Sequence, residues 1–185
     1  MRRSQFIKSF ILFSSILFIN PLQIFASINS ISIGKLAPNF LLNGFNKNTP
    51  NQNKYSIDSF SGKWLILYFY PKDFSNGCTL EAKGFQDNLI KYKKLNSSIL
   101  GISADNEEEH ESFCTSELNG YTLLSDKTGE VSKLYDSSLV GSYSKRNTFL
   151  INPKGIIVFK LIGVRPIGHA QVVLEELINQ QKIYA

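Results

Sequence analysis

The chain has 185 residues, 43% of them hydrophobic, with 20 Lys and Arg against 15 Asp and Glu, two Cys and two His. That length suits one domain with a sizeable core, and the ordinary apolar and charged content excludes a disordered, collagenous or coiled-coil chain. Two cysteines make neither a disulfide-dense scaffold nor, alone, a four-cysteine zinc site. The formal charge of +5 would suit nucleic acid, but Arg2, Arg3 and Lys8 fall in a segment patterned for removal, and without them the balance is +2. That residue is too small for a basic binding face.

The N-terminal segment is short and positive over Met1–Lys8, then apolar from Phe10 to Ile19, then interrupted by Asn20-Pro21, with Ala26 at a plausible cleavage point. This three-part layout predicts a secretory signal peptide over 1–26. A spanning helix needs about 20 consecutive apolar residues, and this run stops sooner. An uncleaved membrane anchor is the alternative. Export, to a periplasm or a thylakoid lumen, would put residues 27–185 in a non-cytosolic redox setting.

Asn43 to Asn53 is polar, with Gly and Pro, and reads as a surface turn between strands. Trp64–Tyr70 (WLILYFY) is a continuous apolar run, as a strand buried on both faces requires. A loop over Pro71–Gly77 follows. From Cys78 to about Leu95 apolar residues recur at Ala82, Phe85, Leu89 and Tyr92, the spacing of one amphipathic helix. Ser98–Ser103 predicts a second buried strand. Asp105 or Asn106 can cap the next helix, whose first turn holds Glu107, Glu108 and Glu109 near the positive end of the dipole and which carries Phe113, Cys114 and Leu118. A short strand over Tyr121–Leu124 and a short helix over Gly129–Tyr135 come next. Thr148–Ile151 and Ile156–Leu161 flank the turn Asn152–Gly155 as a hairpin. Ala170, Val173, Leu174, Leu177 and Ile178 then form the stripe of a closing helix. The pattern predicts one α/β domain, a mixed central sheet flanked by helices.

Cys78 carries the chemistry if any residue does. It follows a buried strand and a Gly-containing loop and opens a helix, where orphan N–H groups and the dipole favour thiolate over thiol. A small buried residue that starts a helix is the plain structural alternative. No CxxC surrounds it, which argues against a dithiol pair. His110 and His169 are not spaced as metal ligands. They read as structural or surface residues, and the acidic run around His110 reads as a solvated helix start.

The segment Pro71-Lys72-Asp73-Phe74-Ser75-Asn76-Gly77-Cys78-Thr79, directly after LYFY, resembles the active loop of peroxiredoxins of the bacterioferritin-comigratory-protein or Q subfamily. Ala37–Phe40, Gly101–Ser103, Leu123–Asp126, Arg146–Ile151 and Gly168–Ala170 fit the same family in order and separation, so the resemblance spans nearly all of the predicted exported part. It implies a thioredoxin-like three-layer sandwich and a thiol peroxidase that needs no metal, haem or flavin.

The resemblance also assigns roles. Cys78 becomes the peroxidatic nucleophile and Arg146 the guanidinium that stabilises the thiolate and orients peroxide. Ser75 becomes the loop hydroxyl, where relatives usually have Thr, and Pro71 the residue that shapes and shields the loop. Many relatives place a resolving cysteine on the Cys78 helix, at the position held here by Lys83. Others carry it on the later helix, which matches Cys114, 36 residues on. If Cys114 is only a core thiol, an external thiol must resolve the intermediate. The family further implies thioredoxin or a related dithiol protein as reductant, and a monomer. Two other classes stay open on the residues alone: an exported thiol–disulfide oxidoreductase, and a non-enzymatic domain with a structural Cys78–Cys114 disulfide.

Overall fold

The computed structural model describes residues 31–118, 120–141 and 143–184, so the export segment expected over 1–26 lies outside the described residues. The strands are β1 (Leu42–Phe45), β2 (Lys54–Tyr55), β3 (Trp64–Phe69), β4 (Ser97–Ser103), β5 (Thr122–Ser125), β6 (Thr148–Ile151) and β7 (Ile157–Leu161). The helices are α1 (Asn76–Asp87), α2 (Leu89–Lys94), α3 (Glu107–Glu117), α4 (Glu130–Leu134) and α5 (His169–Tyr184). The sheet order is β2-β1-β5-β4-β3-β6-β7. β3, β4 and β5 run parallel, while β6, β7, β1 and β2 pair antiparallel around them.

The apolar run that marked β3 is buried at all six positions because both faces are covered. Its side chains alternate between two cores, as the period of two requires. Trp64, Ile66 and Tyr68 join Phe85, Tyr92, Phe113, Val173 and Leu177 of α1, α2, α3 and α5 on one face. Leu65, Leu67 and Phe69 join Ile102, Val131, Tyr135 and Phe149 on the other, where α4 packs. Helices, sheet and helices form the three layers of a thioredoxin-like fold. Gly101 of β4 is required by close approach: a Cβ there would lie 2.8 Å from the Tyr68 ring and its hydroxyl. Both cysteines belong to the first core.

Three local details, two of them departures from the sequence pattern, have physical causes. The helix expected to run from Cys78 to Leu95 starts two residues earlier and breaks at Asn88, whose backbone leaves the helical region (φ −99°, ψ 3°) while its side-chain amide donates to the Gly84 carbonyl at 2.9 Å. Side chain–backbone competition of this kind is what Asn offers against a helix interior. α2 is tied instead to α5, through Tyr92 Oη donating to the Ala170 carbonyl at 2.6 Å. At the start of α3, Asn106 is the cap, in a capping box with Glu109, whereas Asp105 turns inward and is buried. β1 begins at Leu42 and runs into the expected surface turn, because Asn43 still pairs with Lys54 and Ser125.

Candidate active site

The connection from β3 to α1 aims a sulfur at a cation. Phe74 takes a left-handed φ of 57°, which costs an L-residue about 1–2 kcal/mol, and its ring packs edge-on to Phe113 at 5.0 Å. Ser75 is then the N-cap of α1: its hydroxyl accepts from the Cys78 N–H at 3.4 Å and donates to the Lys72 carbonyl at 3.1 Å. Cys78 is the third residue of α1, in its first turn, and is 1% exposed. Pro71 is half-buried at the loop's entry.

Arg146 arrives from the segment before β6 and donates Nη2 to Cys78 Sγ at 3.3 Å. Its other terminal nitrogen, Nη1, meets Glu81 Oε2 at 2.6 Å. Glu81 lies three residues after Cys78, one turn along α1, and is fully buried. Its second oxygen, Oε1, meets His169 Nδ1 at 2.8 Å, and His169 Nε2 meets Thr148 Oγ1 at 2.9 Å. A chain Thr148–His169–Glu81–Arg146 thus runs from β6 through the first turn of α5 to α1 and fixes the guanidinium. Burial opposes the Arg146 charge, but Glu81 and then Cys78 outweigh it and hold its pKa above the ordinary value. Sequence spacing could not reveal Glu81 and His169 as one unit, since they stand 88 residues apart. The signal available was a carboxylate on the buried stripe of a helix otherwise facing the core.

Gly77 makes room for this contact. A Cβ there would lie 2.9 Å from Arg146 Nη2 and 3.4 Å from Pro166 Cγ. In Gly77→Ala the flexible guanidinium must retreat from the sulfur. Ala favours the helix by up to about 1 kcal/mol over Gly, so melting should show little or no loss. The same variant should lose about tenfold in kcat/KM, since a displacement near 1 Å at a reacting centre costs up to about a hundredfold. Stability and activity measured together check this divergence.

Cys114 sits elsewhere. It is buried on α3, and both cysteines are free. Burial first, and the charge of Asp73 second, push its thiol up to about 12. Asp73, in the loop before Cys78, accepts from Tyr70 Oη at 2.7 Å on Oδ1, and its Oδ2 lies 2.7 Å from His110 Nδ1. Its backbone N–H donates to Asp105 Oδ2 at 2.8 Å. The reading of His110 as part of a solvated helix start is corrected here: Glu108 and Glu109 face water, but His110 points the other way and has no exposed surface.

A thiol at a helix N-terminus, capped by a hydroxyl and paired with a fixed guanidinium on a thioredoxin-like sheet, defines a thiol-based oxidoreductase centre. Residues 33–160 match the AhpC/TSA family. The chain is 33% identical over 129 residues to peroxiredoxin Bcp of Xanthomonas campestris, covering 66% of this chain and 81% of that one. Among solved structures it is similar to a cysteine-to-serine PrxQ mutant of Xylella fastidiosa, with TM-score 0.74, 29% identity and coverage of 82% and 98%. It is also similar to the bacterioferritin comigratory protein of Xanthomonas campestris described for its alkyl peroxide reduction activity, with TM-score 0.70, 28% identity and coverage of 81% and 98%. The chain belongs to the AhpC/TSA family, among the peroxiredoxins of the Bcp/Q type. It is a thiol-dependent peroxidase.

Proposed function

We propose that Cys78 is the peroxidatic nucleophile, Arg146 and Ser75 its electrostatic partners, and Cys114 the resolving cysteine, acting on hydrogen peroxide and organic hydroperoxides. The observation that carries this reading is the 3.3 Å contact of Arg146 Nη2 with Cys78 Sγ. A thiolate at that position attacks one peroxide oxygen in line. The O–O bond breaks, the departing oxygen takes a proton as water or alcohol, and Cys78 is left as sulfenic acid. The guanidinium, anchored by Glu81, is free to stabilise charge as it moves from sulfur to the leaving oxygen without reorganising. Ser75 holds the first turn through the Cys78 N–H, and Pro71 opens the loop that covers it.

The Cys114 thiol then attacks the sulfenic sulfur and water leaves, giving an intrachain disulfide. Both sulfurs start buried on separate helices, and a disulfide needs Cα atoms roughly 4.4–6.8 Å apart. The first turn of α1 and the neighbouring part of α3 therefore unwind locally for the bond to form. The exposed disulfide is a substrate for thioredoxin or a similar dithiol protein. One equivalent of peroxide on the reduced chain, followed by peptide mapping, tests this. A Cys78–Cys114 link within one chain is expected. Persistent sulfenic acid or only interchain dimers would mean a single-cysteine mechanism with an external thiol.

The same reading places the mature protein outside the cytosol, as a monomer, after cleavage near Ala26. The support for export is the positive, apolar, then small-residue order of residues 1–26. Intact mass of the protein from its natural host checks it: a species retaining Met1–Phe25 in the cytosolic fraction would contradict export.

A further inference from the structure

His110 holds an unused lone pair one helical turn before Cys114. It is wholly buried, and its Nε2 is a buried nitrogen without a hydrogen-bond partner, an arrangement that native cores rarely tolerate. Its other nitrogen, Nδ1, lies 2.7 Å from Asp73 Oδ2. A carboxylate accepts only, so this contact puts the proton of neutral imidazole on Nδ1 and leaves Nε2 as the acceptor. Asp73 is itself fixed by Tyr70 Oη and, through its N–H, by Asp105, which Ser103 Oγ bonds at 2.6 Å.

His110 and Cys114 are four residues apart on α3 and both face the core. Residues at that spacing share one helix face, and helical side chains lean toward the N-terminus, so Cys114 leans over the turn that carries His110. In this reduced state Nε2 bonds nothing, so proton transfer requires the Cys114 thiol to move onto it. The Asp73–His110 contact also joins the segment just before Cys78 to the segment just before Cys114. The contact thus links the two segments that carry the cysteines.

We propose that His110, oriented by Asp73, is the general base of the resolving step. This rests on the reading of Cys114 as the resolving cysteine. The Cys114 S–H gives its proton to His110 Nε2, and the sulfur attacks Cys78 Sγ. The S–O bond of the sulfenic acid breaks, and the leaving hydroxide takes the proton back from the imidazole as water. The oxidant is the peroxide already consumed, and the step is proton-neutral. A buried thiol pushed up to about 12 is otherwise almost wholly protonated at neutral pH, so the step gains from a base. The ionisable groups around the pair are Asp73 from the loop, Tyr70 at the end of β3, Asp105 between β4 and α3, Cys114 on α3 and Tyr121 before β5.

The test is rapid quench of the full-length reduced chain with one equivalent of hydrogen peroxide between about pH 5.5 and 9. Mass spectrometry follows sulfenic acid and the intrachain disulfide separately. With a base inside the chain, the wild-type resolution rate should change less steeply with pH than that of a variant lacking the base. In His110→Gln, whose amide takes up no proton, the ratio of resolution to sulfenic acid formation should fall about a hundredfold at pH 7. Its resolution rate should climb about tenfold per pH unit across the neutral range, as ionisation of an unassisted thiol requires. A wild-type rate that changes by clearly less than about tenfold per pH unit supports the assignment even if the variant does not fold. A wild-type rate that climbs about tenfold per pH unit across the neutral range, or a folded His110→Gln with the wild-type profile, overturns the assignment of His110 and leaves Cys114 as the resolving residue. Absence of any Cys78–Cys114 disulfide in the wild type removes Cys114 from the mechanism and the base with it.

Discussion

Cys78→Ser should leave only the uncatalysed reaction of peroxide with the reductant, because a serine hydroxyl at that position is not ionised at neutral pH and oxygen forms no sulfenic acid. Every other part of the site acts on that sulfur. The Ser75 cap, the dipole of α1 and the Arg146 fork would all remain in the variant, so its loss isolates the nucleophile from its surroundings. Steady-state peroxide consumption with a dithiol reductant reads it. Substantial turnover by the variant would mean that chemistry occurs elsewhere in the chain. The fold should be intact, since Ser replaces Cys with a side chain of similar size whose hydroxyl can still accept from Arg146.

Arg146→Ala should be the most damaging change that spares the cysteine, and it should act on two quantities. Loss of one preorganised donor to developing charge costs about 10²–10³ in rate in comparable oxyanion sites, and kcat/KM for peroxide should fall by that order. The protein should also lose about 3 kcal/mol of stability, because Glu81 keeps His169 but is stripped of its cation in a fully buried position. Arg146→Lys separates the two effects. A lysine restores a charge for Glu81 but cannot reach carboxylate and sulfur together as the planar fork does, so stability should recover more than activity. Urea titrations and peroxide kinetics on both variants check this. Equal recovery of the two would show that Arg146 matters only as a charge.

What could be read from the sequence was whatever repeats locally. The seven-residue run WLILYFY announced β3 because a strand covered on both faces has no polar positions to break the pattern. The NPKG turn fixed the β6–β7 hairpin, although the ladder itself starts at Ile157. The loop from Pro71 to Thr79 carried enough of the family pattern to single out Cys78 and Ser75, the segment Arg146–Ile151 did the same for Arg146, and these three do converge. What escaped was everything held together across the fold. Asn88 ends α1 through one side-chain bond that competes with the helix, and the apolar spacing continues through it undisturbed. Glu81 and His169 meet only because α5 packs its first turn on α1. His110 sat in an acidic run that invites a solvated reading, yet three of its four helix neighbours facing out is what an amphipathic turn with one buried position looks like. Asp73 and His110 stand 37 residues apart, and no spacing rule joins them.

The central claim is that peroxide oxidises Cys78 in the pocket made by Ser75 and Arg146. It is tested most directly in Cys114→Ser, where the intermediate has no partner within the chain. One equivalent of hydrogen peroxide is added to the reduced variant with dimedone present, and the tryptic peptides are weighed. The expected result is full consumption of peroxide and a single dimedone adduct on the peptide that contains Cys78. Peroxide left unconsumed with an unmodified Cys78 thiol would contradict the account.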